Sequence, residues 1–235
     1  MITCVPPQLV GVATARTLAA DLAAITACPP DLVEYRADLT ELATTDTLAQ
    51  DLCALRTATS RPLICTLRDV KEGGECCLPL EQRARFLRIA LPLVDAVDIE
   101  LANLLLLALL RDDLARHATT CILSWHDFSA TPPDARLHEL LATARAAHAP
   151  ADTIVKLATH CASAADVLRL LALPQAAPDL KLAVVGMGPY GRAVRMVAPV
   201  FGSVLGYAAL AHAVAPGQLS VADTRAAWRL LEPPA

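Results

Sequence analysis

The chain has 235 residues, 20 basic against 24 acidic for a net charge of −4, and 55% hydrophobic composition. That suffices for one well-buried core, expected as a single domain over 1–235, and it leaves no basic footprint for nucleic acid. The longest aliphatic run, LLLLALL (104–110), is far too short for a bilayer, and MITCVPPQLV lacks a signal-peptide pattern, so a cytoplasmic location is expected.

Apolar, β-branched runs alternate with longer stretches of helical periodicity. ITCV (2–5) is the first strand candidate, with a helix over 14–26. LVEYRA (32–37) is the second, before a helix over 45–58 whose preceding TELA carries capping-type residues. Within EYRAD, Glu34, Arg36 and Asp38 alternate and so face one side. A solvated edge would tolerate that, but a parallel strand is covered on both faces, which favours a polar-ligand site.

PLICTLR (62–68) ends in Arg68 and runs into KEGGE (71–75), where the glycine pair permits a tight loop. Arg68 and Glu72 can both reach the end of that strand, although a surface turn reads equally well. A helix over 79–91, a strand at AVDIEL (96–101) and a helix over 103–117 follow.

TCILSWH (120–126) ends in His126, and TPPDARL puts proline at the start of a helix over 133–148. The other histidines (117, 138, 148, 160 and 212) read as helix or loop residues, leaving His126 alone at a strand end.

TIVKLA (153–158) places Lys156 on one face with Ile154 and Ala158, ahead of a helix over 163–173 capped by SAAD. Lysine is among the residues least often buried. Of the 20 basic residues only Lys71, Lys156 and Lys181 are lysine, so a generic charge is usually arginine here. Lys156 therefore reads either as a structural ion pair with Glu34 or Glu72, or as an amine that burial keeps neutral enough to attack a carbonyl.

LAVVGM (182–187) leads into GMGPYG (186–191) and a helix over 191–199. The glycines match G-x-G-x-x-G, but too little chain follows for a dinucleotide-binding sheet and no acidic residue stands about 20 positions on. An anion site at a helix N-terminus is the expectation, with Arg195 one turn further able to clamp a carboxylate. VLGYAA (204–209), the APGQ turn with Gln218, and a helix over 221–231 complete the chain.

The eight cysteines include no C-x-x-C pair; only Cys76 and Cys77 are adjacent, and Cys4, Cys65 and Cys121 sit in apolar stretches as buried free thiols do. Eight strand–helix units in this length fit a (β/α)8 TIM barrel, with a doubly wound open sheet as competitor.

EYRAD, TLRDVKEGGE, SWHDFSATP, DTIVKLA, MGPYGRAVR, FGS and APGQ, in that order, resemble type I 3-dehydroquinate dehydratase, a (β/α)8 lyase of the shikimate pathway. The resemblance implies that Lys156 forms an imine with the C3 ketone of 3-dehydroquinate and that His126 moves the C2 proton, oriented by Glu72. It implies that Glu34, Arg36 and Arg68 hold ring hydroxyls, that Arg195 and Gln218 take the carboxylate end, that no cofactor, metal or nucleotide is needed, and that the chain pairs as a homodimer. Two positions depart from the family: Val214 stands where a hydroxyl residue is common before APGQ, and Val5 near where a first-strand serine is common. Strand 1 starts almost at Met1, which leaves out much of the usual N-terminal hairpin. Another imine-forming barrel lyase acting on a sugar phosphate, and a non-catalytic polyol or carboxylate binder, are the competing readings.

Overall fold

The computed structural model describes residues 7–39, 45–215 and 217–231. Strands and helices alternate: β1 (Gln8–Thr14), α1 (Leu18–Ala27), β2 (Leu32–Arg36), α2 (Thr45–Ala58), β3 (Leu63–Thr66), α3 (Leu80–Ala90), β4 (Ala96–Glu100), α4 (Leu104–His117), β5 (Thr120–Asp127), α5 (Asp134–Ala146), β6 (Ile154–His160), α6 (Ala164–Ala176), β7 (Lys181–Met187), α7 (Gly191–Val197), β8 (Leu205–Ala209) and α8 (Val221–Leu231). Every strand pair is parallel, in the order β7-β6-β5-β4-β3-β2-β1-β8.

The two ends of that sheet meet. Val204 N–H donates to the Leu182 carbonyl at 2.9 Å. Arg195 spans the same seam, donating from Nε to Gly186 O at 2.9 Å and from Nη1 to Tyr207 O at 3.0 Å. The sheet is therefore a nearly closed (β/α)8 barrel, not the open doubly wound alternative.

Side chains alternate between the two faces of each strand. The outward set, among them Val33, Leu63, Val97, Leu123, Leu157 and Val184, packs under the helices. The inward set changes character along each strand. Val10, Leu32, Ile64, Ala96, Ile122, Ile154, Ala183 and Leu205 form a dry apolar cluster on the barrel axis. Two residues further toward the C-terminal ends, the same inner faces carry Glu34, Thr66, Asp98, Ser124, Lys156 and Tyr207, all buried. Register aligns them: Ser124 pairs with Lys156 and Thr66 with Asp98. An apolar floor thus lies under a polar layer at the strand ends, where barrel chemistry is placed.

The first strand is where sequence and structure diverge most. The expected strand at 2–5 lies outside the described residues, as do Val5, Cys4, any N-terminal hairpin and TELA. The observed β1 begins at Gln8. Its interior Gly11 weakens the strand signal, yet a Cβ there would lie 2.8 Å from Leu210 Cδ2 and 2.9 Å from Pro30 Cγ. Close packing demands the glycine that local propensity counts against. A second correction concerns histidine: His160 is the last residue of β6, so His126 is not alone at a strand end.

Other signals hold. Ser163 and Asp166 form a reciprocal capping box on α6. Pro133 stands at the N-cap of α5. All described cysteines are free, with Cys65, Cys76, Cys121 and Cys161 buried. None of the described helices is long and apolar enough to cross a membrane.

The GMGPYG loop serves packing rather than ligand contact. A Cβ on Gly186 would sit 2.7 Å from both Gly191 O and Val194 Cβ, so β7 and α7 touch through backbone. Gly188 has φ +76°, with the His160 ring against its α-carbon. Three N–H groups of the loop and helix start are engaged: Tyr190 N–H donates to Cys161 O, Gly191 N–H to Gly188 O and Ala193 N–H to Tyr190 O. These three amides are already used where an anion site is expected at this helix N-terminus. A Gly186→Ala substitution should force β7 and α7 apart and destabilise the fold by about 1–3 kcal/mol. Urea unfolding measures this, and an unchanged midpoint would contradict the packing role.

Candidate active site

One cavity opens at the C-terminal ends of the strands, and Glu34, Arg36, Arg68, Glu72, His126, Lys156, Arg195 and Gln218 all line it. The cavity is partly open to solvent. Val12, Ala158, Val185, Met187, Tyr207 and Val214 supply apolar wall, and Phe128 stands at the rim.

Lys156 lies at the bottom. Its Nζ is 2.6 Å from Asp98 Oδ2, 3.7 Å from Glu34 Oε1 and 4.5 Å from the centroid of the Tyr207 ring. The nitrogen is thus not enclosed by apolar neighbours, as the strand sequence suggests, but seated among two carboxylates and a ring. Glu34 also accepts from Thr66 Oγ1 at 2.7 Å.

Asp98 is the hub. Arg68 Nη2 contacts its Oδ2 at 2.8 Å and Ser124 Oγ donates to its Oδ1 at 2.5 Å. Burial alone would push this carboxyl's pKa up; the Arg68 guanidinium and the Lys156 ammonium override it and hold the group far below the usual carboxylate range. Arg68 Nη1 also donates to Glu100 Oε1 at 3.0 Å and Ser124 Oγ at 2.7 Å. Glu100 accepts from Arg83 Nη2 at 2.6 Å, and Arg83 Nη1 reaches Asp69 Oδ2 at 3.0 Å.

The loop after β3 presents Glu72. Asp69 caps a short 3-10 turn over Val70–Glu72, which Gly73 ends at φ +77°. Gly74 passes so near Arg68 that a Cβ would lie 2.1 Å from the Arg68 carbonyl oxygen. This tight loop sets Glu72 Oε2 to accept from the His126 main-chain N–H at 3.0 Å and to meet His126 Nδ1 at 2.9 Å. With Nδ1–H as donor, Nε2 keeps its lone pair for proton transfer.

Burial pushes Glu72 up to about 8, with Arg68 opposing and the Glu100 and Asp98 carboxylates reinforcing. Its Oε1 is buried with no hydrogen-bond partner. His126 is held well below its usual value, first by burial and then by the Arg68 and Lys156 cations. The pair rests with a neutral imidazole and a carboxyl that holds its proton near neutrality.

Arg36 lines the cavity, but Asp38 does not. Instead Asp38 fixes Arg36 through two bonds, from Nε to Oδ1 at 2.9 Å and from Nη2 to Oδ2 at 2.7 Å. Arg195 has two of its five N–H donors on the seam carbonyls, leaving three for a ligand; burial lowers its pKa to about 10, still protonated at neutral pH. Gln218 Oε1 accepts from Val214 N–H at 2.8 Å, closing the loop after β8. The described first-strand residue on the cavity wall is Val12.

Asp98, Glu100, Ser124 and Tyr207 are absent from the sequence-derived set although they contact its members. Asp98 and Glu100 on β4 follow the same alternation that singles out Glu34 and Arg36 on β2. Ser124 and Tyr207 are ordinary strand residues, and only the barrel's closure reveals their neighbours.

A family model for type I 3-dehydroquinase matches residues 4–233. A 3-dehydroquinate dehydratase from Methanococcoides burtonii is 37% identical over 206 residues, covering 86% of this chain and 85% of its own. Among solved structures, the 3-dehydroquinate dehydratase of Geobacillus kaustophilus superposes with a TM-score of 0.88 at 26% identity, covering 96% of this chain and 91% of its own. That of Aquifex aeolicus gives 0.84 at 26% identity, covering 97% and 100%.

Glu72 holds its proton more tightly folded than unfolded. Its contribution is therefore fully present below about 4.5, the ordinary value, and is lost as pH rises through about 8. His126 acts oppositely, since it stays neutral in the fold where the unfolded chain would charge it. The unfolding free energy of the wild type minus that of Glu72→Gln should fall between pH 5 and pH 9. Urea titrations across that range measure it, and a flat difference would show that Glu72 is ionised throughout.

Proposed function

The chain belongs to the type I 3-dehydroquinase family, and on that premise we propose that it dehydrates 3-dehydroquinate to 3-dehydroshikimate through an imine on Lys156. The dehydration is the family's reaction; the lysine route is carried by one observation, a buried lysine amine at the floor of the cavity that also holds the His126–Glu72 pair.

The Lys156 amine, once it has released a proton, adds to the C3 ketone, and loss of water leaves a protonated imine. That cation draws electrons from the adjacent carbon, so the C2 proton becomes acidic. His126 takes it through Nε2 while Glu72 holds Nδ1–H. The resulting enamine expels the C1 hydroxyl, to which His126 returns the proton, and water leaves. Hydrolysis of the imine frees the amine and the enone product. In this reading Glu34, Arg36 and Arg68, which line the cavity, would hold the ring hydroxyls, and Arg195 with Gln218 the carboxylate. Val12 and Val214 offer no hydroxyl there; each neutral hydrogen bond so missing is worth about 0.5–1.5 kcal/mol.

A sugar phosphate fits less well, because three amides at the start of the helix after β7 are engaged with main-chain carbonyls. Borohydride reduction with 3-dehydroquinate present should add one ligand mass to the peptide containing Lys156. No adduct with turnover intact would overturn the imine. His126→Ala should still give the adduct while kcat, followed by ultraviolet absorbance of the enone, falls about 10²–10⁴-fold. A normal kcat in that variant would remove His126 from the proton transfer.

A further inference from the structure

Tyr207 is the inward residue at the middle of β8 and has two features the reaction above leaves unexplained. Its ring centroid lies 4.5 Å from Lys156 Nζ. Its hydroxyl is buried without a hydrogen-bond partner. Buried tyrosine hydroxyls ordinarily find one. A hydroxyl that bonds nothing does not account for an aromatic residue at this place, whereas a ring face beside the reacting nitrogen does.

The ring is held firmly. Tyr207 pairs in register with Val10 of β1, and its carbonyl accepts from Arg195 Nη1 at 3.0 Å. It packs in the inward apolar cluster.

We propose that the Tyr207 ring is a positioning residue that seats the nitrogen cation of Lys156 both as ammonium and as protonated imine. The proposal rests on the imine reading above. The physical ground is a change in donors. The ammonium has three N–H groups with which to engage Asp98 at 2.6 Å and Glu34 at 3.7 Å. A protonated imine is planar and keeps one. Hydrogen bonding to the two carboxylates therefore weakens as the imine forms, while the positive charge remains. Attraction to a ring face needs no N–H donor and persists across the change. The carboxylates hold and largely neutralise the resting ammonium, so the ring counts for more once the imine forms and those bonds weaken; its loss therefore disfavours the imine relative to the amine.

Two variants separate ring from hydroxyl. Tyr207→Phe keeps the face and loses the unpartnered oxygen; Tyr207→Leu loses both. The first measurement needs no imine. With ¹³C-labelled lysine only Lys71, Lys156 and Lys181 give ε-methylene signals. The Lys156 signal should be displaced by the ring current in wild type and Tyr207→Phe and lose that displacement in Tyr207→Leu. The second measures the fraction of enzyme trapped by borohydride at equilibrium with 3-dehydroshikimate. Tyr207→Phe should stay within about twofold of wild type and Tyr207→Leu fall at least about fivefold, the range of a partly desolvated cation–ring contact. A side chain that only fills space would leave that fraction unchanged.

Equal trapping in Tyr207→Leu and wild type, or an equal loss in Tyr207→Phe and Tyr207→Leu, would overturn the proposal. If wild type itself gives no adduct, the imine reading falls and its half of the proposal with it; the ring-current measurement still decides the ammonium contact by itself. Should Tyr207→Leu fail to fold, Tyr207→Met serves in its place.

Discussion

Charge matching inside a closed barrel is the constraint on which the site depends. An unpaired buried charge is costly, so each buried carboxylate of the layer must face a cation. Asp98 has Arg68 and Lys156, Glu100 has Arg68 and Arg83, Glu34 has Lys156, and Asp38 has Arg36. Glu72 meets only His126, through its ring and its main-chain N–H. It is the carboxyl of this layer without a Lys or Arg salt bridge, and it is the one that burial drives toward the protonated form. The acid–base pair arises from the way the other charges are satisfied.

The same network surrounds Lys156. Its nitrogen is held by carboxylates rather than stripped bare. A substrate that brings hydroxyls and a carboxylate to Arg36, Arg68 and Arg195 would perturb those pairs as it binds. The apolar floor of Val10, Ile64, Ile122 and Ile154 carries no competing donor or acceptor. It isolates the polar layer from the barrel bottom, where side chains serve stability alone.

Closure gives Arg195 a double position. β7 and β8 share no ladder among the described residues, and Arg195 donates to a carbonyl on each. The guanidinium on the cavity wall therefore also ties the last seam of the barrel. Tyr207, whose carbonyl is one of those acceptors, is fixed by the same contact. In this way the far end of the chain is locked onto the wall opposite Lys156.

Alternation along strands, turn chemistry and isolated polar residues in apolar runs made much of this legible from sequence. β2 to β8, the capping box at Ser163 and the inward facing of Glu34, Arg36 and Lys156 follow from local periodicity. Asp98 and Glu100 obey the same rule on β4, but only the barrel's register shows that they meet Lys156, Arg68 and Arg83. β1 was misplaced because Gly11 answers to Leu210 and Pro30, neighbours far away in the chain. Three amides of the loop after β7 find partners only after folding, on Cys161, Gly188 and Tyr190, which local sequence does not show. By itself the sequence determined the architecture and most of the chemistry-bearing residues, since these depend on residue type and spacing. The tertiary structure decided which charge faces which: Lys156 against Asp98 and the Tyr207 ring, Glu72 against His126 alone. Those pairings join residues from different strands, and only the register and closure of the barrel bring them within reach.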